Sequence, residues 1–106
     1  MNEQRPSVYD LLNAQTGKAQ WYELEKHFAR GVLLWVDRSL DLIEVAGRLV
    51  QDHSETVNEL RQAGLLCRVR DDDALRWQKA DTVFWTVVVA PWVLIQEIPN
   101  VSTGPE

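Results

Sequence analysis

The sequence predicts a small α+β domain, and three observations carry that prediction. Helical segments, with apolar residues three or four positions apart, are interrupted by short apolar runs. Two of these runs, "VLLWV" at 32–36 and "LLCRV" at 65–69, are strand-length and bounded by turn residues. The last, residues 83–97, is rich in valine, whose branched side chain favours strands. A chain of 106 residues is near the usual size of one domain, here residues 1–98. Residues 99–106, "PNVSTGPE", read as a disordered tail.

Residues 1–6 are polar. Ser7 then begins a short helix to about Ala14, with Asp10 completing an S-x-x-D box. "TGK", residues 16–18, reads as a turn. A second helix follows over 20–30, with Trp21, Leu24 and Phe28 on one stripe. Its glutamates come early and Lys26, His27 and Arg30 late, as the helix dipole favours. Gly31 stands where a left-handed residue ends a helix. "VLLWV" reads as a central strand buried on both faces. Asp37 and Ser39 read as turn and cap residues. The next helix, 40–51, has a broad apolar face of Leu42, Ile43, Ala46, Leu49 and Val50. Asp41 and Glu44 form a D-x-x-E pair in its first turn.

Asp52 or Ser54 caps a further helix to about Ala63, carrying Val57 and Leu60, and Gly64 stops it. "LLCRV" is the second strand. "RDDDALRWQKA" is a short helix with aspartates first and Lys79 late. In the final stretch Pro91, which has no N–H, marks a bulge, an edge or a bend between two strand segments. The order from the 20–30 helix onward is winged-helix-like. It predicts a sheet of three to four strands, with the helix at 72–80 replacing the wing.

Composition narrows the function classes. The net charge of −5 lacks the general attraction to phosphate backbones that nucleic-acid binding requires. In the helix-turn-helix reading, the second helix would present Glu55, Asn58, Glu59, Arg61 and Gln62 outward. Arg68 and Arg70 are answered by Asp71, Asp72 and Asp73. A nucleic-acid-associated regulator is therefore the alternative, not the leading expectation. The run at 82–98 has an apolar core from Val83 to Ile95, shorter than the ~20 residues of a spanning helix, so no membrane is expected. The N-terminus lacks a basic n-region followed by an apolar h-region, which predicts no secretory signal. The single cysteine, Cys67, reads as a small buried hydrophobe, and a reducing cytoplasm is the expected compartment.

The five tryptophans, Trp21, Trp35, Trp77, Trp85 and Trp92, read mostly as core. Trp77 and Trp92 are the candidates for a partner surface. Glu23 and His27 share a helix face, and His53 lies at a break, but no C-x-x-C or H-x-x-x-H spacing accompanies them, so neither metal nor cofactor is expected. No G-x-S-x-G or phosphate-loop pattern occurs. The charged residues His27, Arg30, Asp37, Arg38 and Asp41 flank "VLLWV". A strand rises ~3.3 Å per residue, which holds Arg30 and Asp37 too far apart for one local site. They read as caps and dipole partners, and a small enzyme built on them is a third alternative.

"WYELEKHFARGVLLWVDRSLDLIEVAGRLVQD", the later Trp77 and "VVVAPWVLIQE" resemble a family of short bacterial proteins, domain of unknown function 2288. The resemblance spans residues 20–97. It implies a bacterial cytoplasmic protein and carries over no reaction, cofactor or catalytic residue. The leading expectation is a non-enzymatic protein–protein interaction module. A homodimer is one form of it, because a long apolar strand left uncovered pairs readily with another chain.

Overall fold

A computed structural model describes residues 12, 14–51 and 54–98. Among them are five strands and four helices in the order β1 (Gly17–Gln20), α1 (Trp21–Ala29), β2 (Leu33–Val36), α2 (Leu42–Val50), α3 (Ser54–Gln62), β3 (Leu66–Arg68), α4 (Asp71–Ala80), β4 (Val83–Val89) and β5 (Trp92–Glu97). The strands form one open sheet in the order β1-β4-β5-β2-β3. Only β2 and β5 pair in parallel; the other three pairings are antiparallel.

Side chains alternate across the sheet, so its two faces carry separate cores. Leu33, Phe84, Val93 and Ile95 meet Trp21 and Leu24 of α1 and Ala74 and Trp77 of α4 on one face. Leu34, Val36, Leu66, Val87 and Leu94 meet Leu42, Val45 and Ala46 of α2 on the other. Val57 and Leu60 of α3 pack on that second cluster from its margin. The first core is aromatic. Trp77 and Phe84 meet edge to face at 5.0 Å between centroids, and Trp21 lies 5.8 Å from Trp77. Such tilted pairs contribute about 0.5–1.5 kcal/mol each beyond burial.

Helix ends follow local chemistry. The Asp41 carboxylate accepts from the Ile43 and Glu44 amides and starts α2. Asp37 belongs to the preceding turn, where Oδ2 accepts from the Ser39 amide at 2.9 Å and from its hydroxyl at 2.6 Å. Ser39 is thus a donor to Asp37 and not the cap. Glu23 accepts from the Gln20 amide at the start of α1, and Asp73 from the Arg70 amide at the start of α4. Gly31 and Gly64 have φ of +74° and +77°, the left-handed conformation that closes a helix at low steric cost. Leu12, Ala14 and Gln15 are helical, as expected of the first helix; its proposed start at Ser7 and Asp10, the Asp52 cap, His53 and the 99–106 tail lie outside the described residues.

Four expectations need correction. The sheet has five strands, not three to four, because "GKAQ" at 17–20 is β1 and not a turn. Its residues have little strand preference; it forms because β4 offers an open edge, pairing Lys18 with Trp85 and Gln20 with Val83. The stretch 83–97 is a hairpin with Val89 opposite Trp92, and β5 lies in the centre of the sheet between β4 and β2. It is not an uncovered edge, which removes the strand-pairing argument for a homodimer. A wing joins neighbouring strands, whereas α4 carries the chain from β3, at one edge, past β2 and β5 to β4. The helix therefore crosses the sheet and covers a face, and the winged-helix likeness stops at element order. Finally, Cys67 is exposed on edge strand β3 rather than buried.

Candidate functional site

The charged residues around β2 are divided between its two ends. At the entry, the Arg30 amide donates to the Lys26 and His27 carbonyls and closes α1. His27 has its pKa lowered by burial and by the neighbouring Lys26 and Arg30, so it is a poor cationic partner for the helix dipole. At the exit, Asp37 has its pKa lowered by the Ser39 hydroxyl and amide, and by Arg38 beside it. Asp41 is the α2 cap. These side chains do not converge. No group of three or more His, Cys, Asp or Glu among the described residues is arranged to hold a metal.

Of the two tryptophans expected on a partner surface, Trp77 is 2% exposed and belongs to the core. Its position three residues after Ala74 turns both inward on α4. Its indole N–H donates to Glu97 Oε2 at 3.1 Å, while Trp35 donates to Oε1 of the same carboxylate at 3.2 Å. Trp92 is half-buried against the α2 core, with the Arg68 guanidinium 5.3 Å above its ring. The exposed tryptophan is Trp85, covered in part by Lys18 at 5.3 Å.

Two grooves remain. One, of about 440 Å³, lies at the carboxyl end of the parallel β2–β5 pair and is lined by Thr16, Asp41, Leu42, Ile43, Trp85 and Gln96. Its polar groups are committed to the fold. Asp41 caps α2, and the Gln96 amide donates to the Asp37 and Leu40 carbonyls at 3.0 and 2.8 Å. The other groove, of about 390 Å³, runs between α1 and α4. Trp21, Phe28, Ala74 and Leu75 give it an apolar floor and wall, and Glu25 and Asp71 line it as well. Leu75 is 57% exposed, and Tyr22, one position from Trp21, is 67% exposed. This arrangement can take up apolar side chains and hold cations beside them.

Sequence reasoning passed over Tyr22 and Leu75. The signal was present. Ala74 and Trp77 define the inward stripe of α4, and Leu75 falls about 100° away from Ala74 around the helix, on an otherwise polar surface. A second candidate face, the outward side of α3, presents Glu55, Asn58, Glu59, Arg61 and Gln62 to solvent.

With this architecture in place, the chain is placed by comparison in a family described as protein of unknown function, DUF2288. Its model matches residues 7–97, and the chain belongs to it. Among solved structures it is similar to PA1075 from Pseudomonas aeruginosa, determined by NMR in solution. That protein is 43% identical, with a TM-score of 0.78 over 99% of this chain and 97% of the other. No curated protein matches. The family assignment agrees with the resemblance read from residues 20–97 and extends it toward the N-terminus. No helix among the described residues is long and apolar enough to cross a membrane.

Proposed function

We propose that the chain is a non-enzymatic protein-binding module of the cytoplasm, and that the α1–α4 groove is where it docks its partner. The observation that carries this reading is an apolar groove whose lining includes a large exposed side chain, Leu75, beside Trp21 and Phe28. Aromatic and aliphatic anchors grouped around a concavity are the usual core of a protein interface. The aromatic core beneath it makes the floor stiff, so little ordering cost accompanies binding. An exposed thiol at Cys67 fits the reducing compartment.

The test is a paired affinity capture from native cytoplasm. Wild-type protein, Leu75→Asp and Val88→Asp are compared; Val88 is equally exposed but lies on the β4–β5 hairpin, outside the groove. A protein retained by wild type and Val88→Asp and lost from Leu75→Asp supports the reading. Partners retained equally by all three, or none retained by the wild type, refute it.

A further inference from the structure

The shape and charge of the α1–α4 groove specify its occupant more closely. Resting on the docking role proposed for this groove, we infer that it takes a basic amphipathic helix, a partner segment with apolar anchors about one turn apart and lysine or arginine alongside them.

The form of the occupant comes from the geometry of the groove. Trp21, at the start of α1, lies 5.8 Å from Trp77, near the end of α4, while Phe28 and Asp71 line the groove together. The two helices are therefore antiparallel and leave a channel between them. Its α4 wall runs from Asp71 to Gln78, about 10 Å at ~1.5 Å per residue, which is two helical turns. A third helix laid in such a channel presents anchors at i, i+3 or i+4, and i+7 over the same length. Those anchors would sit over Phe28, Ala74 and Leu75.

The sign of the partner's charge comes from the lining. Among the described residues, Glu25 and Asp71 are the only charged ones in its lining, both are exposed, and neither is in an ion pair. Lys26 and Lys79 stand on the same helices but outside the lining. A second copy docked by the same face would bring two carboxylates from each chain together, which is unfavourable. The chain's net charge of −5 adds to that repulsion and attracts a basic segment from a distance. A basic helix satisfies both carboxylates while its apolar face covers Leu75.

The experiment is an NMR titration of the 15N-labelled full chain with two synthetic helical peptides of identical apolar spacing, one of leucine and lysine, the other of leucine and glutamate. The expected result is amide shifts confined to the surroundings of Tyr22, Glu25, Leu75 and Gln78, and about tenfold tighter binding of the lysine peptide. Glu25→Gln combined with Asp71→Asn is expected to erase that preference, and Glu25→Gln alone to reduce it. Both are conservative changes at exposed positions. Equal affinity of the two peptides at the groove overturns the charge assignment and leaves the docking reading standing. Shifts elsewhere, or no binding by either peptide, overturn both.

Discussion

Glu97 clamps two indoles from different parts of the chain, and its removal has a calculable cost. Its carboxylate accepts from Trp35 Nε1 on β2 at 3.2 Å and from Trp77 Nε1 on α4 at 3.1 Å. A hydrogen bond to a charged group contributes about 1.5–3 kcal/mol, and a buried donor left without an acceptor costs about 1–3 kcal/mol. Trp35 and Glu97 are half-buried, so their bond belongs at the low end; Trp77 is fully buried, and its N–H would be stranded. Glu97→Ala is therefore expected to destabilise the fold by about 2–4 kcal/mol. Glu97→Gln, which keeps one acceptor oxygen but turns an amide donor toward the other indole, is expected to lose about half of that. Urea unfolding followed by tryptophan fluorescence reads the change. With a slope of about 2 kcal/mol per molar, the Glu97→Ala midpoint falls by roughly 1–2 M. A double-mutant cycle with Trp77→Phe isolates the α4 half of the clamp, with an expected coupling of about 1 kcal/mol or more. A Glu97→Ala loss below about 0.5 kcal/mol, the range of ordinary surface changes, would refute the reasoning.

Two further outcomes are expected from the same structure. Thr86 Oγ1 is buried without a hydrogen-bond partner among the described residues, so Thr86→Val, of similar shape and better suited to a strand, is expected to be neutral or to raise stability by about 1 kcal/mol in the same unfolding assay. His27 is held below its ordinary pKa of 6.5, so the unfolded chain takes up a proton first as pH falls. Its contribution is complete above that value and declines as pH drops from 6.5 toward the lower folded pKa. His27→Gln is expected to flatten this part of the stability–pH curve, measured as urea midpoints at several pH values.

The helices and the two short strands β2 and β3 were legible because each carries its signal locally. Trp21, Leu24 and Phe28 recur at helical spacing, and Asp41 is placed to cap α2. Gly31 and Gly64 supply the left-handed stops. "VLLWV" has apolar residues at consecutive positions, which only a strand covered on both faces requires. The same local reading misplaced Cys67. Apolar neighbours such as Leu65 and Leu66 implied burial, but on edge strand β3 alternate side chains face opposite ways, and Leu66 turns inward while Cys67 is left exposed.

What the sequence determined by itself is the class of fold, the sequence of most elements and their ends, because periodicity and capping act within a few residues. What only the tertiary structure decided is how those elements meet. β1 exists because β4 has a free edge, and β5 is central because β2 lies beside it in parallel. Trp77 serves the core while Leu75 lines a groove, because α1 and α4 pack side by side on one face of the sheet. Helical spacing shows which side of a helix turns inward; only the neighbouring helix shows whether the remaining side borders solvent or a concavity.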